Sequence, residues 1–456
     1  MKKIVIVVIS VVAVLVIAAI IATVVILVRD KDDENGQPEA ACANLDLKSA
    51  QNCTNDPNLL TSKLPACCVP YEDYYLARFI DGNSPRVDNS FPPWMNHNLL
   101  KCGQKFAHNN WFSLGLAAAL GRAANMNNLD IRDVAMFTGV MSTQAEGCEK
   151  ILASFGAKLT VWFQDVQSNP PTKTPENNDF LQSVNRIRWL HVKLARDIEA
   201  KRRQSGYTID EIVDPATYEN TEINDAVWNA FNDDLVNSDI PAEERDPPPM
   251  DFINSSIPYF NQHSIALFQY NAFAYPVLIG KVFGVNASDE ELWAFNHLNA
   301  VIGYTFGLDD KYNLALQPDL ESLRTYYAKI FRGYIVPGFF HVHKKTKVTI
   351  ENIMKATRVN TPAWTLQLYL YRVLTMLVEI PAPNLFSLFT ENDKFHDQNL
   401  NGNVLPNIAV NETFRRITNE NGIADLLKTG EKYYGKNYTT QWGRARFTFL
   451  TPVENI

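Results

Sequence analysis

Residues Ile257–Asp310 read IPYFNQHSIALFQYNAFAYPVLIGKVFGVNASDEELWAFNHLNAVIGYTFGLDD. The first half, Ile257–Gly284, is apolar nearly all round, which marks a buried helix rather than an amphipathic surface one. Pro276 should kink that helix or end its first half. Asn261, Gln262 and His263 cluster at its start, where a polar side chain can cap the helix or reach a pocket. The second half opens with Ser288 and carries Glu291 three residues later, the pattern of a capping box. Trp293, His297 and Ala300 then share one face. Two long buried helices in succession set the fold class as mostly α.

Helical periodicity extends outward from this pair. Further candidate helices cover roughly 109–124, 129–142, 147–164, 178–203, 317–335 and 361–379. The one strand expected is Tyr334–Val348, where Val and aromatic residues are frequent. His341 and His343 would then share one side of it, a weak metal pair. The acid-rich stretch 204–260, with Asp246–Pro247–Pro248–Pro249, reads as a helix-breaking loop.

The segment LQSVNRIRWLHVKLARDI, residues 181–198, places Val184, Ile187, His191, Leu194 and Ile198 on one helix face. Two roles suit a histidine in such a stripe. It is a hydrogen-bonded core residue, or an axial ligand to a metal or haem, since neutral imidazole binds iron well and an apolar wall suits a porphyrin. Arg188, one turn earlier, could pair with a haem propionate or lie on a solvated face.

The chain has 456 residues, with Lys and Arg at 42 and Asp and Glu at 50, a net charge of −8. That balance argues against a nucleic-acid-binding protein, which usually carries a basic face. Phosphate-loop, dinucleotide-fold, zincin and α/β-hydrolase motifs do not occur in the sequence. Ile4–Val28 carries no charge over 25 residues; as a helix it would be about 38 Å long, enough to span a bilayer core. The expectation is a retained single-pass anchor within residues 1–28. A Cys-containing juxtamembrane segment follows over 29–92, and globular composition begins near residue 93. All six Cys lie between residues 42 and 148, a cluster suited to disulfides in an oxidising compartment. Sequons at Asn52, Asn254, Asn286, Asn411 and Asn437 allow a glycoprotein. The large domain is therefore expected on the luminal or extracellular side.

Four blocks together resemble the catalytic domain of the ER-bound oxygenase mpaB and rubber oxygenase (latex-clearing protein) family. They are LLKCGQKFAHNN, with Gly103, Gln104 and Phe106, followed by DVAMFTG; KLTVWFQDV, with Thr160; RIRWLH, with His191; and PYFNQ followed by SDEELWAFNHLNAVIGYTFGLDDKYN, with Gln262, His297, Gly303 and Gly307. The resemblance covers about residues 93–315. It implies a globin-like helical core with added helices, an oxygenase-like domain over 93–395 and a C-terminal extension over 396–456. It also implies a b-type haem with His191 as the proximal iron ligand, Arg188 beside it and Thr160 in the catalytic site. The chemistry implied is O₂-dependent cleavage of a double bond in a lipophilic, isoprenoid-type substrate; the alternative is a catalytically silent haem-binding or cell-surface protein keeping the fold. Rubber-cleaving members carry Arg and Lys four residues and one residue before the Thr; here Gly156 and Leu159 stand there, with Lys158 one position off.

Overall fold

A computed structural model describes residues 69–82, 90–137, 145–163, 178–205, 218–219, 221–246, 257–360 and 363–434. All of them belong to one compact unit, residues 45–456. A 3₁₀ helix, Tyr71–Phe79, precedes α1 (His97–Asn109), α2 (Trp111–Asn127), α3 (Leu129–Phe137), α4 (Ala145–Phe163), α5 (Asp179–Ser205), α6 (Asp225–Val236), α7 (Gln262–Ile279) and α8 (Asp289–Phe306). Then come α9 (Leu320–Ile330), α10 (Val336–Phe340), α11 (Lys344–Asn360), α12 (Leu366–Arg372), α13 (Pro383–Ser387), α14 (Glu391–Asn399), α15 (Leu405–Val410) and α16 (Glu412–Tyr434). Among the described residues the only β pairing is a single bridge, Asp81 with Asn261. The fold is mostly α, as the periodicity implies.

The axis of the fold is α8. Ser288 accepts from the Glu291 backbone and Glu291 returns a bond to the Ser288 N–H, the capping box read from sequence. Asp289, Glu290 and Glu291 in the first turn suit the positive end of the helix dipole. Every residue from Leu292 to Phe306 is buried. The helix stops at Gly307, whose φ of +115° only glycine adopts readily. Against α8 packs α1, and the crossing is close because Gly103 has no side chain: a Cβ there would lie 2.2 Å from the Ala294 carbonyl oxygen. Helix α7 packs on α2 in the same way, with Gly121 against the Asn271 carbonyl. Asn261 caps α7 in a capping box with Ser264. Pro276 sits inside α7, which ends one turn later at Ile279 and tightens into a 3₁₀ turn over Gly280–Phe283.

Two sequence expectations are corrected. Tyr334–Val348 is not a strand: Tyr334 lies in a π-helical turn, Phe331–Ile335, and α10 and α11 follow. The Val and aromatic density there reflects burial, with Val336, Phe339 and Val348 in the core. His341 and His343 therefore flank a helix–helix turn; His341 Nε2 pairs with Asp246 at 3.2 Å, and His343 Nδ1 accepts from the Lys345 N–H. Within the acidic stretch, α6 forms under an Asn224 cap and buries Trp228, Phe231 and Leu235.

No helix among the described residues is long and apolar enough to cross a membrane; the uncharged run Ile4–Val28 lies outside them. So do Thr138–Gly139 and the sequons at Asn52, Asn254 and Asn437. Cys148 is a buried thiol outside any disulfide, and burial pushes its pKa up to about 12.

Candidate functional site around His191

Helix α5 presents the stripe read from sequence: Val184, Ile187 and Ile198 are buried, with His191 half-buried between them. It packs on α4 and α8. The His191 ring lies near-parallel to Phe260, with centroids 5.7 Å apart, and meets the edge of Phe306 at 5.3 Å. Phe306 in turn stacks on Phe268, and Phe268 meets Phe155 of α4. These aromatic rings make the wall that the histidine stripe implied.

The ring is fixed by its own helix. His191 Nδ1 lies 2.9 Å from the Ile187 carbonyl. A carbonyl can only accept, so Nδ1 carries the proton and Nε2 holds the lone pair. Desolvation by the aromatic wall lowers the imidazole pKa; the Ile187 carbonyl opposes this, and the Lys158 charge adds to it. His191 is thus neutral at pH 7. A neutral imidazole whose Nδ1–H is held by a backbone carbonyl is the donor state that iron requires. Among the described residues no three His, Cys, Asp or Glu side chains gather as a bare-ion site. A porphyrin supplies four nitrogens of its own and asks the protein for one imidazole, and a neutral imidazole such as His191 is that type of donor.

The other expected residues are placed differently. Thr160, on α4, is buried and its hydroxyl donates to the Ala157 carbonyl at 2.7 Å. Arg188 is buried against the C-terminal end of α8: its Nε and Cδ would be 3.0 and 3.5 Å from a Cβ on Gly307. There the guanidinium meets the negative end of the helix dipole. Gln262 is a clamp, donating to the Asp81 and Gly307 carbonyls and accepting from the Asp309 N–H. His297 Nε2 accepts from the Asn96 N–H at 3.0 Å, and burial lowers its pKa to about 3.

One residue gains weight from the structure. Lys158 is 7% exposed, and its Nζ donates to Ser154 Oγ at 3.1 Å. Burial lowers its pKa to about 7, so a large neutral fraction exists at physiological pH. Its sequence signal was a lone Lys inside the otherwise uncharged run ILASFGAKLTVWF. Gly156 does not face this region: a Cβ there would run into Leu426 of α16.

No family model matches the chain, and neither a curated protein nor a solved structure does.

Proposed function

We propose that the protein is a membrane-anchored, haem-binding protein of oxygenase type, acting on a lipophilic, isoprenoid-like substrate with O₂. The observation that carries it is the neutral His191, tied through Nδ1 to Ile187 and walled by Phe260 and Phe306. His191 would hold the iron of a haem b, which when bound supplies O₂ activation. The aromatic wall would exclude water and favour an apolar substrate, whose burial drives its binding. The order of the four sequence blocks supports a globin-like relation of the helices. The uncharged run Ile4–Val28 would hold the chain in a membrane with the domain on the luminal or extracellular side, where disulfides can form among the clustered cysteines.

The test is spectroscopic. Full-length protein purified with haem supplied should show a Soret band. His191→Ala should lose most of the haem while keeping its far-ultraviolet circular dichroism, and added imidazole should restore part of the band. Wild-type protein without Soret absorption, or an Ala variant with an unchanged spectrum, would overturn the assignment.

A second reading, a haem protein without catalysis, has its own support. The positions that are Arg and Lys in rubber-cleaving relatives are Gly156, packed under Leu426, and Leu159. The Thr160 hydroxyl is tied to its own helix. O₂-dependent product formation from a polyisoprenoid lipid separates the two readings.

A further inference from the structure

The 3₁₀ helix Tyr71–Phe79 has two unlike faces. The inner face carries Tyr74, Ala77 and Arg78, all buried. The outer face carries Tyr75, Leu76 and Phe79, and Ile80 follows directly; these four are 45, 41, 40 and 42% exposed. Ten large apolar side chains are exposed among the described residues, and four of the ten fall between positions 75 and 80. Apolar residues scattered singly over a surface need no explanation, whereas a contiguous patch marks an interaction site.

The exposure is built into the fold. Ahead of the helix, the Val69 N–H donates to the Lys311 carbonyl at 2.9 Å, and the Val69 carbonyl accepts from the Tyr326 hydroxyl at 2.9 Å. Within it, the Tyr74 hydroxyl donates to the His263 carbonyl at 3.1 Å. Behind it, the Ile80 carbonyl accepts from the Gln262 N–H at 3.0 Å, and the Gly82 N–H donates to the Phe260 carbonyl at 2.6 Å. A helix pinned before, within and after its length cannot roll its outer face inward.

Charge around the patch has no single sign. Glu72, Asp73 and Asp81 are exposed on the same segment, Lys311 and Lys329 are exposed beside it, and Lys329 lies 4.0 Å from Glu72. A polyanion or a strongly charged protein finds no complementary field there. Tyr and Phe beside Leu and Ile make the kind of surface that sinks into the boundary between headgroups and acyl chains. Place along the chain points the same way. The patch lies on the first described helix, and 40 residues, 29 to 68, separate the uncharged run Ile4–Val28 from Val69.

We propose that Tyr75, Leu76, Phe79 and Ile80 dock the domain onto the surface of a lipid bilayer. The patch itself stands on the structure; the choice of a bilayer as its occupant rests on the anchor reading given above. Docking there would turn the start of α7 towards the membrane, since Ile80 and Gly82 bond to Gln262 and Phe260, and Phe260 is the ring beside His191.

The test uses full-length protein reconstituted into phosphatidylcholine vesicles that contain a diazirine-bearing acyl chain. After illumination, mass spectrometry of the digested protein locates the label. Label is expected within Tyr75–Ile80 and within Ile4–Val28, with Phe386 and Phe395, exposed on α13 and α14, left unlabelled. Added phosphatidylserine or salt should leave the patch label unchanged, because no net field is involved. Leu76→Asp combined with Phe79→Asp should lose most of the patch label and keep that of Ile4–Val28; the pair Leu76→Ser and Phe79→Ser is the milder variant should the first fail to fold. Label in Ile4–Val28 with none in Tyr75–Ile80 overturns the proposal and leaves the anchor standing. Label in the patch alone supports the bilayer contact and refutes the anchor, and label in neither refutes both. Label spread equally to Phe386 and Phe395 overturns the proposal as well. So does an unlabelled patch whose Tyr75 and Phe79 are shielded from hydroxyl radicals, because the occupant is then protein, either a second copy or another chain.

Discussion

Gly103→Ala should destabilise the protein, although the same change in a solvent-facing helix stabilises. Ala is favoured over Gly by about 1 kcal/mol in a helix interior. At Gly103 the added Cβ would lie 2.2 Å from the Ala294 carbonyl oxygen, 2.8 Å from the Ala294 carbonyl carbon and 3.0 Å from Leu298 Cβ. Two of these obstacles are backbone of α8, which is buried along its length and cannot rotate aside. Relief requires α1 and α8 to part by roughly 1 Å along their most extensive contact. Overpacking of a tight core costs about 1–3 kcal/mol, and a backbone obstacle puts this case at the upper end. Subtracting the helix-propensity gain leaves a net loss of about 2 kcal/mol. Gly115→Ala is the internal control: its Cβ meets nothing within 4 Å, so the propensity gain should appear undiminished. Thermal unfolding of both variants in the same detergent should show a Tm several degrees lower for Gly103→Ala and slightly higher for Gly115→Ala. A Gly103→Ala protein as stable as wild type would refute the close α1–α8 crossing.

Two further outcomes follow. His297 is neutral when folded, its pKa lowered by burial from 6.5 to about 3; the unfolded chain therefore takes up the proton first, and stability should fall as pH drops from about 6.5 towards 3, a slope that His297→Gln should reduce in Tm-versus-pH measurements. Asp234 is buried and accepts from the Asn384 N–H, the Asn384 side-chain amide and the Leu385 N–H at 2.8–2.9 Å; Asp234→Ala should cost about 2–3 kcal/mol in denaturant unfolding by leaving those donors unpaired, whereas Asp234→Asn should retain part of the loss.

Helices with local signatures were legible in the sequence. The α8 capping box, the Asn261 cap and the α5 stripe rest on contacts within four residues, and each stands in the structure. The strand expected at Tyr334–Val348 failed because Val and aromatic residues mark burial in either secondary structure, and here the burial is helical. Helix α6 was hidden because its acids dilute a stripe of only three large apolar residues. At the candidate site, His191 was legible because it stands in a periodic stripe. Its partners were not: Phe260 and Phe306 come from the ends of other elements, and no spacing rule joins residue 191 to residues 260 and 306.

The three buried or half-buried imidazoles near α7 and α8 show why His191 rather than its neighbours carries the assignment. All three are held neutral by desolvation. His297 has its lone-pair nitrogen committed to the Asn96 N–H, where it anchors the start of α1, so it has no acceptor left for a metal. Among the described residues neither nitrogen of His263 has a hydrogen-bond partner, and its ring is enclosed by Tyr74 at 4.8 Å and Tyr334 at 5.4 Å, with the Arg78 charge nearby. Nothing there fixes its tautomer, and a nearby guanidinium opposes a cation. Only His191 combines a tautomer set by a carbonyl with a lone pair at Nε2 that no hydrogen bond shown in the structure claims. An axial ligand needs both conditions together, and burial by itself, which the sequence stripe reports, selects neither of them.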